Sequence, residues 1–381
     1  MENINQLLQQ LKKGGQDRIN ALEIICFDLS PDDENKVMMG SSQLGLVQIL
    51  VDVIKEDKAV ARYYAIGTCQ DLSTVNENLS IMGSPQLGLV QVLVGVIKED
   101  KADARNLALG TCQNLSVNNE NKAIMGSPQL GLVQVLVGAI KEDKADARNL
   151  ALGTCRNLSL DNENKAIMGL SELGLVQVLV GVIKEDKADA RNNALATCQN
   201  LSVNNENKMI MGSVDIGLVP ILAIIANSDQ VDARTYAICI LWNLVASRTV
   251  SYMIASNVHV VLFNLLKIAG DCNTFKVGEY TDHSINFFLA FTRYPIGAKA
   301  VRSISTSVEV FMNMLSSTSI NKLKASFIIS NLTGRDEAFI KGRSGLLSEY
   351  PELSRELISV FENTMDAKGG DGYYLGNFIM R

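Results

Sequence analysis

The side chains of this sequence that could perform nucleophilic, redox or metal chemistry are its seven cysteines and two histidines. Zinc sites and redox pairs need such residues close together, as in Cys-X-X-Cys, and the sequence contains no such pair. His259 and His283 lie far apart in sequence and have no patterned acidic partner. The glycine cluster at Gly369 lacks the Gly-Lys-Ser/Thr of a phosphate loop. We therefore expect no enzyme active site, no metal and no cofactor.

The spacing of the cysteines indicates internal repetition. The first five recur every 43 residues, at Cys26, Cys69, Cys112, Cys155 and Cys198. Residues 84–126 and 127–169 are copies that differ at only four positions. A period of this length is typical of solenoids, in which each repeat buries its apolar face against its neighbours. We therefore divide the chain into a truncated N-terminal capping repeat (1–40), five repeats (41–83, 84–126, 127–169, 170–212 and 213–256), a degenerate repeat with an insert (257–303), a second degenerate repeat (304–345), and a C-terminal capping helix and tail (346–381).

Composition excludes several classes of protein. Hydrophobic residues make up 47% of the 381 residues and charged residues 20%, so the chain can bury a large core. The net charge of −6 argues against general binding to nucleic acid or anionic membranes. The N-terminus does not resemble a signal peptide, and no apolar run reaches the roughly 18–20 residues of a membrane span. We expect reduced thiols and a cytoplasmic or nuclear location.

Each repeat is predicted to contain three helices: a short polar first helix (NENKAIM), an apolar second helix (GLVQVLVGVI) and a third helix (ALGTCQNLS). The β-branched second segment also suits a strand, but its length and helical neighbours favour a helix. Gly126 should end the first helix in a left-handed conformation. Ser127 and Pro128 should then begin the second helix. On the third helix, Cys112 falls on the apolar face, so we expect it to be a small buried hydrophobe.

These three segments resemble the armadillo repeat. GLVQVLVGVI is similar to the family's second helix, G-x-I-P-x-L-V-x-L-L, and GLVPIL at 217–222 also has the proline of that motif. The third helix ALGTCQNLS resembles A-L-x-x-L-x-N-L-S, and NENKAIM resembles the N-x-x-I of the first helix. HEAT repeats have a similar period, but the Asn-Leu-Ser favours armadillo. The resemblance is strong over 1–256 and weak over 257–345, and it implies an all-α, right-handed superhelical α-solenoid.

The resemblance also implies a binding groove. In armadillo proteins the third helices line a concave face, and one asparagine on each holds the main chain of an extended peptide. In this chain the corresponding residues, here named the Asn ladder, are Asn114, Asn157, Asn200 and Asn243, with Asp28 and Asp71 in the earliest repeats. A carboxamide both donates and accepts hydrogen bonds, so these side chains could equally satisfy the solenoid's own loops. Both interpretations stay open.

Residues seven before and four after each ladder position share its helix face. The residues seven before are Tyr64, Leu107, Leu150, Asn193 and Tyr236. The residues four after are Val75, Asn118, Asp161, Asn204 and Ser247. The leucines between the two tyrosines would form an apolar strip for a partner, or would pack between neighbouring repeats.

Two departures from known armadillo proteins limit the partner. Importin-α-like transport adaptors place tryptophan four residues before the ladder asparagine. Here that position holds Gly67, Gly110, Gly153, Ala196 and Cys239. β-catenin-like proteins have a basic groove, whereas the charges of a central repeat cancel, with Lys98, Lys101, Arg105 and Lys122 against Glu99, Asp100, Asp103 and Glu120. We therefore expect a protein or extended-peptide partner whose binding depends weakly on salt.

The sequence thus favours a non-enzymatic protein-interaction scaffold that binds a partner along the third helices. A nuclear transport adaptor is an alternative that the missing tryptophans disfavour. A structural spacer or self-assembling repeat protein is another. We expect a monomer and leave self-association open.

Overall fold

The computed structural model describes residues 2–100, 103–142, 146–226, 231–255, 259–270, 279–315 and 320–333. All regular secondary structure in these ranges is helical. The chain forms two compact bodies, an N-terminal body of residues 1–207 and a C-terminal body of residues 208–381. The predicted C-terminal capping helix and tail, at 346–381, lie outside the described residues.

The helices begin at the same place in successive repeats. The N-terminal body contains α1 (Glu2–Lys13), α2 (Gly15–Ile24), which continues into a π-helical turn at Ile25–Leu29, α3 (Asp33–Gly40), α4 (Leu46–Glu56), α5 (Ala59–Leu72), α6 (Asn76–Met82), α7 (Leu89–Glu99), α8 (Asp103–Leu115), α9 (Asn119–Met125), α10 (Leu132–Glu142), α11 (Asp146–Leu158), α12 (Asn162–Met168), α13 (Leu175–Glu185) and α14 (Ala188–Leu201). Second helices start at residues 46, 89, 132 and 175, each 43 residues after the last.

The remaining described helices follow the same order. They are α15 (Asn205–Met211), α16 (Leu218–Ile225), α17 (Val231–Val245), α18 (Arg248–Ala255), α19 (His259–Gly270), α20 (Glu279–Thr292), α21 (Pro295–Arg302), α22 (Ser307–Leu315) and α23 (Ile320–Thr333). Among the described residues no single helix is long and apolar enough to cross a membrane. One pair, α17 with α18, reaches that length only when joined across a 116° bend.

Each body is a stack in which helices of one type contact the same type in the next repeat. In the N-terminal body the second helices α4, α7, α10 and α13 form one layer, and the third helices α5, α8, α11 and α14 form another. In the C-terminal body α16, α19 and α22 form the second-helix layer, while α17, α20 and α23 form the third-helix layer. This layering is that of an α-solenoid.

The core lies between the two layers. In the repeat at 127–169 the second helix buries Leu132, Leu136 and Ile140, and the third helix buries Leu152 and Cys155. Burial of one such large aliphatic side chain stabilises the fold by roughly 1.5–3 kcal/mol. Cys112 is likewise fully buried, as the repeat pattern predicts. The cysteine position that recurs every 43 residues is therefore a core position from Cys69 to Cys198, whereas Cys26 is half-buried.

Gly126 ends the first helix as predicted, but two details of the junction with the second helix were wrong. Gly126 has φ −78°, an ordinary right-handed conformation. The left-handed residue is Gly131, with φ +70°, directly before α10. Ser127 and Pro128 form a turn that precedes this glycine, and α10 begins only at Leu132. Because L side chains strain in the left-handed region, glycine is required at position 131 and at its equivalents in other repeats.

The C-terminal body packs its core with aromatic rings. Phe287, Phe288, Phe291 and Phe311 are all fully buried. Phe288 meets Phe287 and Phe311 edge to face, with ring centroids 5.4 Å apart in both pairs. Such edge-to-face pairs stabilise beyond the area that they bury.

Candidate partner-binding surface

The third helices of the N-terminal body lie side by side, and their outer faces form one surface. Four ladder residues lie there, and each is half-buried: Asp71, Asn114, Asn157 and Asn200. The residues seven before them are half-buried as well: Tyr64, Leu107, Leu150 and Asn193. Asn243 and Tyr236 are half-buried on α17 of the C-terminal body. We name the surface of the N-terminal body the third-helix face.

The ladder asparagines connect one repeat to the next. Asn114 Nδ2 donates to Ser73 Oγ of the preceding repeat at 3.0 Å. Asn157 Nδ2 donates to Ser116 Oγ at 3.0 Å, and Asn200 Nδ2 makes the same bond to Ser159 at 2.9 Å. A weaker contact at 3.5 Å joins each Nδ2 to a main-chain carbonyl of the preceding repeat. The NH₂ group of each of these asparagines is therefore already used in a hydrogen bond between repeats.

The serine partner fixes the orientation of each carboxamide. Ser116 Oγ donates its single proton to the Gln113 carbonyl at 2.6 Å. The hydroxyl can therefore only accept from Asn157, so the NH₂ group of Asn157 must point inwards. Within the described residues, Oδ1 of Asn157 makes no hydrogen bond. The ladder thus retains a row of carbonyl oxygens as acceptors.

The earliest repeats use a carboxylate instead. Asp71 accepts a hydrogen bond from Ser30 Oγ at 2.5 Å, so the serine donates here rather than accepts. Asp28 stands one repeat earlier and is exposed. The ladder therefore becomes negatively charged towards the N-terminus.

Three of the residues four after the ladder cap the first helices with their side chains, whereas Val75 makes no side-chain cap. Asn118 Oδ1 accepts from the main-chain N–H groups of Glu120 and Asn121, at 3.0 and 3.1 Å. Asp161 and Asn204 each accept from the N–H three residues later, at 2.9 and 3.1 Å. Capping of this kind stabilises a helix by about 1 kcal/mol. A partner that engaged these oxygens would have to share them with the helix ends.

The residues seven before the ladder pack partly against the neighbouring repeat. A Cβ added to Gly67 would lie 3.8 Å from Leu107 Cδ1, which places this leucine against the preceding third helix. Asn193 accepts a long hydrogen bond of 3.4 Å from Arg156. The residues of the apolar strip are therefore partly in contact with the adjacent repeat and partly exposed on the surface.

Ion pairs also connect successive repeats. Arg62 bonds Asp100 at 3.1 Å, and Arg148 bonds Asp186 at 2.9 Å, each partner lying 38 residues further along. The side chains are partly buried, so both charges are held in defined places.

No group of three His, Cys, Asp or Glu side chains within the described ranges is placed to hold a metal ion. Burial raises the pKa of the Cys112 and Cys155 thiols to about 12, which keeps them protonated and unreactive at neutral pH.

Comparison with known proteins supports the fold assignment. No protein-family model and no curated protein sequence matches the chain. An engineered protein superposes with a TM-score of 0.75 at 16% identity, over 97% of this chain and 86% of its own. A designed armadillo repeat protein in complex with a (KR)4 peptide gives 0.55 at 18% identity, over 63% of this chain and 98% of its own. The chain has the armadillo-repeat fold.

A further solved structure is similar over nearly the whole chain. It concerns the interaction between cadherin and beta-catenin, which a phosphorylation switch controls. Its TM-score is 0.75 at 15% identity, and the alignment covers 99% of this chain and 77% of the other. At identities this low the comparison establishes the fold alone.

The position that holds tryptophan in import adaptors has a different role in this chain. A Cβ on Gly153 would overlap the side chain of Gln113, which reaches over from the preceding repeat. Gln70 covers Gly110 in the same way. At the next interface Arg156 replaces the glutamine and bonds Asn193, and Ala196 replaces the glycine. Glycine and glutamine are therefore a matched pair, and a tryptophan would not fit without displacement of the glutamine.

A second ladder of asparagines, which sequence reasoning missed, lies inside the first helices. Asn164 Nδ2 donates to Lys122 O of the preceding repeat at 2.8 Å and to Leu158 O at 3.2 Å. Its carboxamide lies where a Cβ on Gly126 would be, which explains the glycine there. Asn78, Asn121 and Asn207 make the same pair of bonds. The signal was available: the third residue of each NEN motif is invariant among these repeats.

An exposed apolar row was also missed. Val117, Leu160 and Val203 follow the Asn-Leu-Ser of successive repeats and are 56%, 54% and 57% exposed. The periodicity of a helix does not predict their exposure, because they lie in the turn after the third helix.

Proposed function

We propose that this chain is a non-enzymatic protein-interaction scaffold that binds an extended peptide, or an extended segment of a partner protein, across the third-helix face. The observation that supports it best is the orientation of the ladder carboxamides. Asn114, Asn157 and Asn200 bond inwards through Nδ2 and keep Oδ1 as an acceptor. Acceptors repeated at equal intervals suit the main-chain N–H groups of an extended chain, which also recur at regular intervals.

The structural neighbours support the same class of partner. One designed armadillo repeat protein is in complex with a peptide, and another structure concerns the interaction between cadherin and beta-catenin. The half-buried Leu107 and Leu150 would add apolar contact beside the main-chain bonds. We also propose that the protein works as a monomer in the cytoplasm or nucleus, where thiols such as the six free cysteines of the described residues stay reduced.

Selection from a random-peptide library, followed by footprinting, tests this proposal. Peptides selected on the full-length chain would be bound to it, and exposed side chains would be oxidised by hydroxyl radicals. We expect a bound peptide to protect Leu107 and Leu150 on the third helices. Leu170 and Val214, which are exposed in the turns before second helices, serve as matched controls and should be oxidised equally with and without peptide. If the peptide protects Leu170 and Val214 but not Leu107 and Leu150, binding at the third-helix face is refuted.

A further inference from the structure

The N-terminal end of the third-helix face departs from the other repeats in three aromatic positions. Phe27 stands where later repeats have Gln70 and Gln113. Tyr63 stands where they have Asn106 and Asn149, and Tyr64 where they have Leu107 and Leu150. At this end of the surface, the first two repeats therefore have aromatic residues where the later repeats have polar or aliphatic ones.

These aromatic residues form one cluster. The rings of Phe27 and Tyr64 meet edge to face across the two repeats, with centroids 5.5 Å apart. Tyr63 lies 5.8 Å from Tyr64. Ile24, one turn before Phe27, and Val60, one turn before Tyr63 and Tyr64, extend the cluster.

The cluster is open to solvent. Phe27 is 58% exposed, Val60 47%, and Ile24 and Tyr63 are each 37% exposed. A contiguous exposed apolar patch on a folded chain marks an interaction site more often than do scattered single residues. We name these five residues the aromatic patch.

Acidic residues adjoin the patch in the sequence. Glu23 and Asp28 adjoin Ile24 and Phe27 in the chain, and both are exposed without an ion pair or side-chain hydrogen bond among the described residues. Asp71, seven residues after Tyr64, bonds Ser30, which is three residues after Phe27. The arginines of these two repeats are already paired, Arg18 with Asp57 and Arg62 with Asp100.

Lys58, which has no ion pair among the described residues, directly precedes α5 in an extended conformation, six residues before Tyr64 in the chain. The end of the patch around Phe27 therefore has an excess of negative charge. This differs from the cancelled charges of the central repeats.

We infer that the aromatic patch binds a basic and apolar segment of the partner, with an arginine or lysine beside an aliphatic or aromatic side chain. The inference rests on the proposed function and names the chemistry of one end of the same groove. A cation is attracted both to the faces of exposed rings and to carboxylates, and the apolar neighbour would cover Ile24 and Val60. A second copy of the chain is a poor occupant, because a two-fold contact would bring the same carboxylates together.

The repeats themselves supply the variants for a test. Phe27→Gln, Tyr63→Asn and Tyr64→Leu each introduce the residue that the next repeats have at that position, so the triple variant should fold. Asp28→Asn with Asp71→Asn likewise introduces the residue of the later ladder. Val117→Thr, which copies Thr74, is the control for loss of an exposed apolar residue outside the patch.

The probe is a fluorescent peptide of about ten residues that alternates arginine and leucine, with glutamate–leucine and arginine–serine peptides as comparators. Fluorescence polarisation should show that the arginine–leucine peptide binds about tenfold more tightly than either comparator. The aromatic triple variant should lose about tenfold in affinity, the aspartate double variant about three- to tenfold, and Val117→Thr less than about twofold. Binding to the wild type should weaken as salt rises from about 50 to 300 mM, and the aspartate variant should reduce this dependence.

Equal binding of the peptide to the wild type and the aromatic variant would overturn the inference, and so would the absence of any preference for arginine–leucine. If the triple variant fails to fold, the exposed Phe27→Gln variant alone gives the same comparison. Sedimentation that shows a wild-type dimer lost in Phe27→Gln would identify a second copy as the occupant and would also overturn it. If peptides selected from the library bind the wild type and the aromatic triple variant equally well, the proposed function stands and only the inference about the aromatic patch fails.

Discussion

The two bodies of this chain hold their helices together in different ways. In the central repeats of the N-terminal body, polar bonds connect each repeat to the next: a ladder asparagine donates to a serine, and a buried asparagine donates to a main-chain carbonyl of the preceding repeat. An ion pair such as Arg148 with Asp186 adds to them. In the C-terminal body Val250 replaces the buried asparagine and contacts Gly212 instead, and four phenylalanines fill the core. A polar bond of the ladder type is also present there, from Asn331 to Thr292.

The difference implies that the two bodies tolerate substitution differently. A buried carboxamide must meet each of its partners within a few tenths of an ångström, so a change in one repeat disturbs the bonds to both neighbours. Apolar packing instead tolerates exchange among side chains of similar volume. Sequence drift is therefore easier in the C-terminal body.

The largest expected effect is on the aromatic core. Phe288→Ala removes a buried ring that contacts Phe287 and Phe311, and it should destabilise the C-terminal body by about 3–5 kcal/mol. Hydrogen exchange should show lost protection across α20 and α23 while α8 and α11 keep theirs. Equal loss in both bodies would contradict the division into two kinds of packing.

Loss of a buried asparagine should come next. Asn164→Leu keeps the size of the side chain but leaves the carbonyls of Lys122 and Leu158 without this donor. We expect a cost of about 2–3 kcal/mol in denaturant unfolding. Asn162→Ala, two residues earlier and exposed, is the matched control and should change stability by less than about 0.5 kcal/mol. Similar values for the two variants would mean that the second ladder does not connect the repeats.

The glycine–glutamine pair gives a double-mutant cycle. Gly153→Ala should cost about 1–3 kcal/mol, because its Cβ would overlap Gln113. Gln113→Arg reproduces the natural arrangement of Arg156 and Ala196, and the double variant should be at least about 1 kcal/mol more stable than the sum of the single effects. Strict additivity in thermal or chemical unfolding would show that the two positions are independent.

The smallest effect has the opposite sign. A Cβ on Gly138, in the middle of α10, would meet open space, so Gly138→Ala should stabilise by about 0.5–1 kcal/mol through helix propensity alone. Gly131→Ala, at φ +70°, should instead destabilise by about 1–2 kcal/mol. A melting temperature that falls for Gly138→Ala would indicate that the glycine has a contact that the fold does not reveal.

Periodicity was sufficient to predict the fold but not the details of the interfaces. The 43-residue cysteine row, the buried Cys112 and the three helices follow from local pattern, because each depends on residues within one repeat. The overlap of Gly126 with Asn164 and of Gly153 with Gln113 joins residues of different repeats, 38 and 40 positions apart. No pattern within one repeat reveals such contacts. Likewise, the sequence identified the ladder asparagines but could not decide which of their atoms points inwards.

The central claim is that the outward Oδ1 atoms of the ladder bind a partner's main chain. The most direct test compares two triple variants, Asn114→Ala/Asn157→Ala/Asn200→Ala and Ser73→Ala/Ser116→Ala/Ser159→Ala. Both remove the bonds between repeats, and only the asparagine variant also removes the outward oxygens. For a library-selected peptide we predict that affinity falls about tenfold or more in the asparagine variant and less than about threefold in the serine variant. Equal affinities in the two variants would contradict the claim.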